Sequence, residues 1–127
     1  MPDFSKQKTK QWIKEVVLSY NKKIGELNFI FTSDEKILEV NRTYLQHDYY
    51  TDVITFDYSE DQKISGDIFI SLDTVKTNAE KYSQTFDNEL YRVIIHGVLH
   101  LVGYQDHSDE DRAQMRKLEN KALLQLN

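Results

Sequence analysis

The chain has 127 residues, 39% hydrophobic and 29% charged, which suits one domain (residues 1–127) that buries roughly two thirds of its unfolded surface. It holds no cysteine, so disulfides, thiolate zinc ribbons and thiol catalysis are excluded. A net charge of −5 argues against non-specific coating of nucleic acid. No apolar run reads as a signal peptide or a membrane span, so the expected compartment is the cytoplasm, with no membrane partner. Charge is uneven: Lys6, Lys8, Lys10, Lys14, Lys22 and Lys23 face only Asp3 and Glu15 in the first 23 residues. Such a run reads first as a solvated helix face and second as a phosphate-binding patch.

Along the chain, Trp12, Val16, Val17 and Tyr20 recur at helical spacing and predict an amphipathic N-terminal helix. After Gly25, the alternation of Leu27, Phe29 and Phe31 predicts a strand. Thr32 and Glu35 fit a capping box for a second helix bearing Ile37, Leu38 and Tyr44. Val53-Ile54-Thr55-Phe56 and Ile64 to Ile70 flank a polar turn from Tyr58 to Lys63, as in a hairpin. Leu72, Val75, Ala79 and Tyr82 make one inward stripe of a third helix. Thr85 is a natural N-cap for the next, with Asp87 and Glu89 in its first turn and apolar residues on most of its circumference through Leu101. Such a helix belongs in the middle of a fold. Its polar exceptions, Glu89, Arg92, His96 and His100, share one angular position. Ser108 and Asp111 cap a last helix with Met115, Leu118 and Ala122 inward. The order predicts an α+β domain: a small mixed β-sheet of three or four strands covered by about five helices, with a metal site on the central buried helix.

That metal site is read from His96-Gly97-Val98-Leu99-His100-Leu101-Val102-Gly103-Tyr104-Gln105-Asp106-His107. One histidine on an apolar face is usually a hydrogen-bonded core residue. Two at i and i+4 on a buried helix both need partners in apolar surroundings, and a third follows a turn glycine. Gly103 permits positive φ, so the chain can leave the helix and fold back, bringing His107 or its neighbour Asp106 to the first two. Three protein ligands with one open position is how a catalytic zinc is held. Metalloproteases place glutamate directly after the first histidine as general base. Here that position is Gly97, so a peptidase would lack its base, and a metal would have to acidify the water itself. Gly97 also predicts close approach of another backbone or a substrate to the helix.

The segment from His96 to Tyr104, with the acid and histidine behind it, resembles the signature of the YbeY family of bacterial metal-dependent, single-strand-specific endoribonucleases. Asn41-Arg42-Thr43-Tyr44, the stretch from Asp48 to Phe56, and Gly66-Asp67-Ile68-Phe69-Ile70 resemble two further segments of that family. The resemblance implies cleavage of single-stranded RNA in ribosomal RNA maturation, at the 3′ end of the small-subunit RNA, and in ribosome quality control. It implies one zinc per chain, although a His/Asp set also accepts nickel, iron or manganese. Its partners would be ribosomal RNA or the small ribosomal subunit, with no DNA.

Two positions depart from the family. Its third histidine usually stands ten residues after the first. Here Asp106 holds that register and His107 lies one residue beyond, so register favours Asp106 and residue chemistry favours His107. The family arginine implicated in catalysis falls at Leu45. Arg42 and Arg92 are the candidates to contact phosphate in its place; their plainer roles are a solvated helix residue and an ion-pair partner of Glu89 or a neighbour. His47 reads as a surface or supporting residue. Tyr49 and Tyr50 are the tyrosines that suit contact with RNA bases. Two rival readings share the histidines: a zinc-dependent peptidase or amidohydrolase, and a non-catalytic ribosome assembly factor with a structural metal.

Overall fold

Period-two spacing puts Ile64, Ile68 and Ile70 on one face of a strand, and all three are fully buried in the computed structural model, which describes residues 6–40, 53–106 and 108–126. The elements are α1 (Lys6–Ser19), β1 (Lys23–Thr32), α2 (Asp34–Val40), β2 (Val53–Asp57), β3 (Lys63–Ser71), α3 (Leu72–Lys81), α4 (Phe86–Val102) and α5 (Asp109–Leu124). β3 is central, with β1 parallel on one side and β2 antiparallel on the other, a mixed sheet of three strands among the described residues. The β2–β3 hairpin turns where the polar segment predicts: Glu60 and Lys63 exchange backbone hydrogen bonds of 3.0 and 2.9 Å. Among the described residues no helix is long and apolar enough to cross a membrane.

The two sheet faces have separate cores. Ile64, Ile68 and Ile70 pack with Val16 and Val17 of α1, Val75 of α3, the apolar side chains of α4, and Met115 and Ala122 of α5. The opposite face gathers Ile37 and Val40 of α2 with Ile54, Phe56 and Phe69. Each fully buried aliphatic side chain contributes about 1.5–3 kcal/mol. α4 is buried along most of its length, including Leu90, Ile94, Ile95, Val98 and Leu99, as its sequence predicts. Gly97 admits a side chain from β3: a Cβ there would stand 3.0 Å from two atoms of Ile68. The close approach is thus made by the Ile68 side chain, and not by another backbone. At the other side of the core, the Trp12 indole N–H donates to the Ala122 carbonyl at 2.8 Å, tying α1 to the end of α5.

Three expectations need correction. β1 begins at Lys23, before Gly25, because Lys23 and Ile24 already pair with Lys63 and Ile64; the irregularity that follows is met by the Glu26 N–H donating to Ser65 Oγ at 3.0 Å. The Thr32–Glu35 box does not form, because Thr32 is still in the sheet opposite Ser71. Ser33 caps α2 instead, its Oγ accepting from Lys36 N at 3.2 Å. Tyr82 leaves the apolar stripe: α3 ends at Lys81, Ser83 turns the chain with φ +55°, and the Tyr82 ring is 56% exposed. Tyr44, expected on the second helix, lies outside the described residues.

Gly66 lies hard against the backbone of the neighbouring strand. A Cβ there would meet the Phe56 carbonyl oxygen at 2.4 Å and Leu101 of α4 at 3.0 Å. Gly66→Ala is therefore expected to cost about 2–3 kcal/mol, because the Phe56 carbonyl cannot retreat without disturbing the β2–β3 pairing. A fall in urea midpoint at unchanged m-value measures it.

Candidate metal centre

α4 starts at Thr85, whose hydroxyl accepts from Asn88 N at 3.0 Å, and ends at Gly103 with φ +128°. At that end Gly103 N donates to His100 O at 3.1 Å and Tyr104 N to Leu99 O at 3.0 Å, the pair of bonds that closes a glycine-terminated helix. The turn does more than stop the helix. It brings the Tyr104 carbonyl back over His100, where it lies 2.9 Å from Nδ1. A carbonyl only accepts, so Nδ1 carries the proton and Nε2 is left with its lone pair. Burial, and after it the neighbouring His96, pull the His100 imidazole below its ordinary pKa, which keeps the ring neutral near pH 7.

His96, one turn earlier, is oriented from the other side. Its Nδ1 lies 2.7 Å from Oε2 of Glu119, a carboxylate of α5 that is only 5% exposed. Nε2 of His96 then points to Nε2 of His100 at 3.0 Å. Asp106, carried past Gly103, completes the set: its Oδ2 stands 3.3 Å from His96 Nε2 and 3.4 Å from His100 Nε2. Three electron-rich atoms thus converge with edges of 3.0, 3.3 and 3.4 Å. A tetrahedral metal with bonds of about 2.0–2.1 Å has ligand edges of about 3.3–3.4 Å, so the triangle matches one face of such a site. With both Nδ1 protons committed outward, the arrangement repels itself unless a cation sits among the lone pairs. His96, His100 and Asp106 form a group that can hold a metal ion.

The remaining predicted residues fall as follows. Arg92 turns to α5, with Nη1 3.0 Å from Glu119 Oε1 and Nη2 2.8 Å from Asn120 Oδ1, so its ion-pair partner is Glu119. His107, Arg42, Leu45, His47, Tyr49 and Tyr50 lie outside the described residues. Sequence reasoning missed Glu119. Its signal was there: position 119 stands between Met115 and Ala122 on the inward stripe of α5, where an acid has to have a partner. α5 itself begins as predicted, with Ser108 Oγ accepting from Asp111 N at 3.0 Å and the Asp111 carboxylate returning to Ser108 N.

Fold and site together define a small α+β protein whose central helix and following turn present a two-histidine, one-carboxylate ligand cluster. The chain belongs to the YbeY endoribonuclease family, whose profile matches residues 2–127. It is 60% identical over 123 residues to the endoribonuclease YbeY of Bacteroides thetaiotaomicron, covering 97% of this chain and 90% of that one. It is 62% identical over 123 residues to that of Phocaeicola vulgatus, covering 97% and 89%. The solution structure of TM1509 from Thermotoga maritima is similar in fold, with a TM-score of 0.71 at 30% identity over 94% of this chain and 79% of that one.

Proposed function

We propose that this chain is a metal-dependent endoribonuclease, one domain over residues 1–127, that cuts single-stranded RNA. The observation that carries the reading is the triangle of His96 Nε2, His100 Nε2 and Asp106 Oδ2, in a chain that shares 60% identity with an endoribonuclease over nearly its whole length. Zinc suits two imidazoles and a carboxylate at this spacing. A zinc ion held there supplies Lewis acidity toward a phosphate oxygen and lowers the pKa of water. The chain's own contribution is orientation. Glu119 and the Tyr104 carbonyl hold the two rings in the tautomer that offers Nε2, and Arg92 holds Glu119. Arg42 is the residue we assign to substrate phosphate in place of the arginine missing at Leu45, with Tyr49 and Tyr50 as base contacts. Asp106 is the third ligand in this reading, in the register the family uses. The RNA is ribosomal, cut during maturation of the small-subunit 3′ end and in ribosome quality control, in the cytoplasm.

The peptidase or amidohydrolase reading is not favoured, since Gly97 leaves no carboxylate at the general-base position. The structural-metal reading is not favoured either, since all the relatives named above for their activity are named endoribonucleases. Zinc-loaded protein incubated with unstructured RNA, double-stranded RNA and casein separates these. Cleavage of the unstructured RNA alone, abolished by chelator and restored by zinc, is the expected result. Chelator-sensitive casein cleavage with intact RNA overturns the proposal.

A further inference from the structure

A cleft of about 250 Å³ opens beside the His96–Asp106 edge of the ligand cluster, between the end of α3, α4 and α5. It lies just below the usual range for ligand pockets, about 300–1,000 Å³, and so suits a local subsite rather than a whole substrate. Its three arginines, Arg92, Arg112 and Arg116, balance three carboxylates, so a divalent ion on the cluster leaves the lining cationic. Two of those arginines are engaged. Arg92 is held by Glu119 and Asn120, and Arg112 reaches Asp109 and the Asp106 carbonyl. Arg116 is exposed and makes no hydrogen bond or ion pair with the described residues, although it lines the same cleft. Tyr82, just past the end of α3, lines it as well. This ring is one of the few large apolar side chains left exposed among the described residues, and its backbone is anchored by an N–H donated to Asn78 O at 3.0 Å. The ammonium of Lys81 lies 5.4 Å from the ring centroid, adding positive charge to this rim.

We propose that this cleft is an RNA subsite next to the metal cluster, in which Tyr82 stacks on one base and Arg116 pairs with a backbone phosphate. An exposed aromatic ring and an uncommitted cation lining one cleft are what sequence-tolerant binding of a single strand requires, since every base offers a π-face and every residue of the strand a phosphate. The inference rests on the endoribonuclease reading for its ligand. It is tested by binding, which does not depend on cleavage. Fluorescence anisotropy with a short labelled single-stranded oligoribonucleotide gives Kd for zinc-loaded wild type, Tyr82→Ala, Tyr82→Phe, Arg116→Ala and Lys117→Ala across a salt series. Tyr82→Ala is expected to raise Kd about tenfold, with Tyr82→Phe within about twofold of wild type. Arg116→Ala is expected to weaken binding and to reduce the slope of log Kd against log salt by about 0.7, one phosphate contact on a single strand. Lys117, exposed on α5 but outside the cleft, controls for the loss of a charge and is expected to leave the slope unchanged. Elemental analysis is expected to show the same zinc content in all variants. Wild-type Kd in both Tyr82→Ala and Arg116→Ala, or a slope change in Lys117→Ala equal to that in Arg116→Ala, overturns the subsite. Failure of wild type to cleave RNA while these shifts persist counts against the catalytic reading alone.

Discussion

Asp106→Ala, like His96→Ala and His100→Ala, is expected to strip zinc from the purified protein, while His107→Ala is expected to retain one zinc per chain. The argument is geometric. Asp106 Oδ2 is nearly equidistant from the two Nε2 atoms, at 3.3 and 3.4 Å, and closes the tetrahedral face that they begin. Removing even a partner behind a ligand costs about 10–100-fold in metal affinity, and removing the ligand itself costs more. The loss is also visible in stability. Zinc held at a thousandfold above its Kd adds about 4 kcal/mol to the folded state, which for a chain of this size is a Tm difference of roughly 10 °C or more. Elemental analysis and thermal melts with and without chelator read both effects. Zinc retained in Asp106→Ala and lost in His107→Ala would transfer the third position to His107.

Glu119→Ala is expected to lower both folding stability, by about 3 kcal/mol, and zinc affinity, by about 10–100-fold. The first effect arises because Arg92 and Glu119 are mostly buried, with side-chain exposures of 17% and 7%, so deleting the carboxylate leaves a largely desolvated guanidinium without its charge partner. The second arises because the same carboxylate fixes the His96 Nδ1 proton at 2.7 Å. Glu119→Gln separates them: it retains an oxygen for His96 but loses the charge that Arg92 needs, so it is expected to lose stability while keeping more of the zinc affinity than Glu119→Ala does. Urea titration gives the stability and competition with a chromophoric chelator gives the affinity. A purely structural role for Glu119 predicts lost stability with unaltered zinc affinity in the chelator-resistant folded fraction.

The parts of this site that were legible in the sequence are those set by local rules. His96 and His100 share a face because helical geometry places i and i+4 together, Thr85 and Ser108 cap helices through hydroxyls three residues from their donors, and Gly103 takes the positive φ that ends α4. What was not legible depends on partners distant in sequence. Thr32 fits a capping box by spacing alone, and only its pairing with Ser71 shows that it stays in the sheet; likewise β1 could not be extended back to Lys23 without Lys63 beside it. Arg92 carried a plausible local partner in Glu89, yet its ion pair is with a residue 27 positions on. Tyr82 followed the apolar period of α3 but stands just beyond the helix end, where periodicity no longer predicts orientation. The choice between Asp106 and His107 pitted register against chemistry, and the described geometry brings Asp106 to the histidines.

The ligands of the candidate centre come from one short stretch, residues 96–106, whereas the carboxylate that orients His96 arrives from α5, 23 residues beyond it. An ion can thus be gripped weakly by the isolated α4 hairpin end, at little loop-closure cost, and strongly only when α5 is seated. Linkage makes the relation reciprocal: whatever affinity Glu119 adds to the ion, the ion returns as free energy holding α5 against α4. A metal bound at this site would therefore also clamp the C-terminal helix, and hydrogen exchange along α5 is expected to slow when zinc is added.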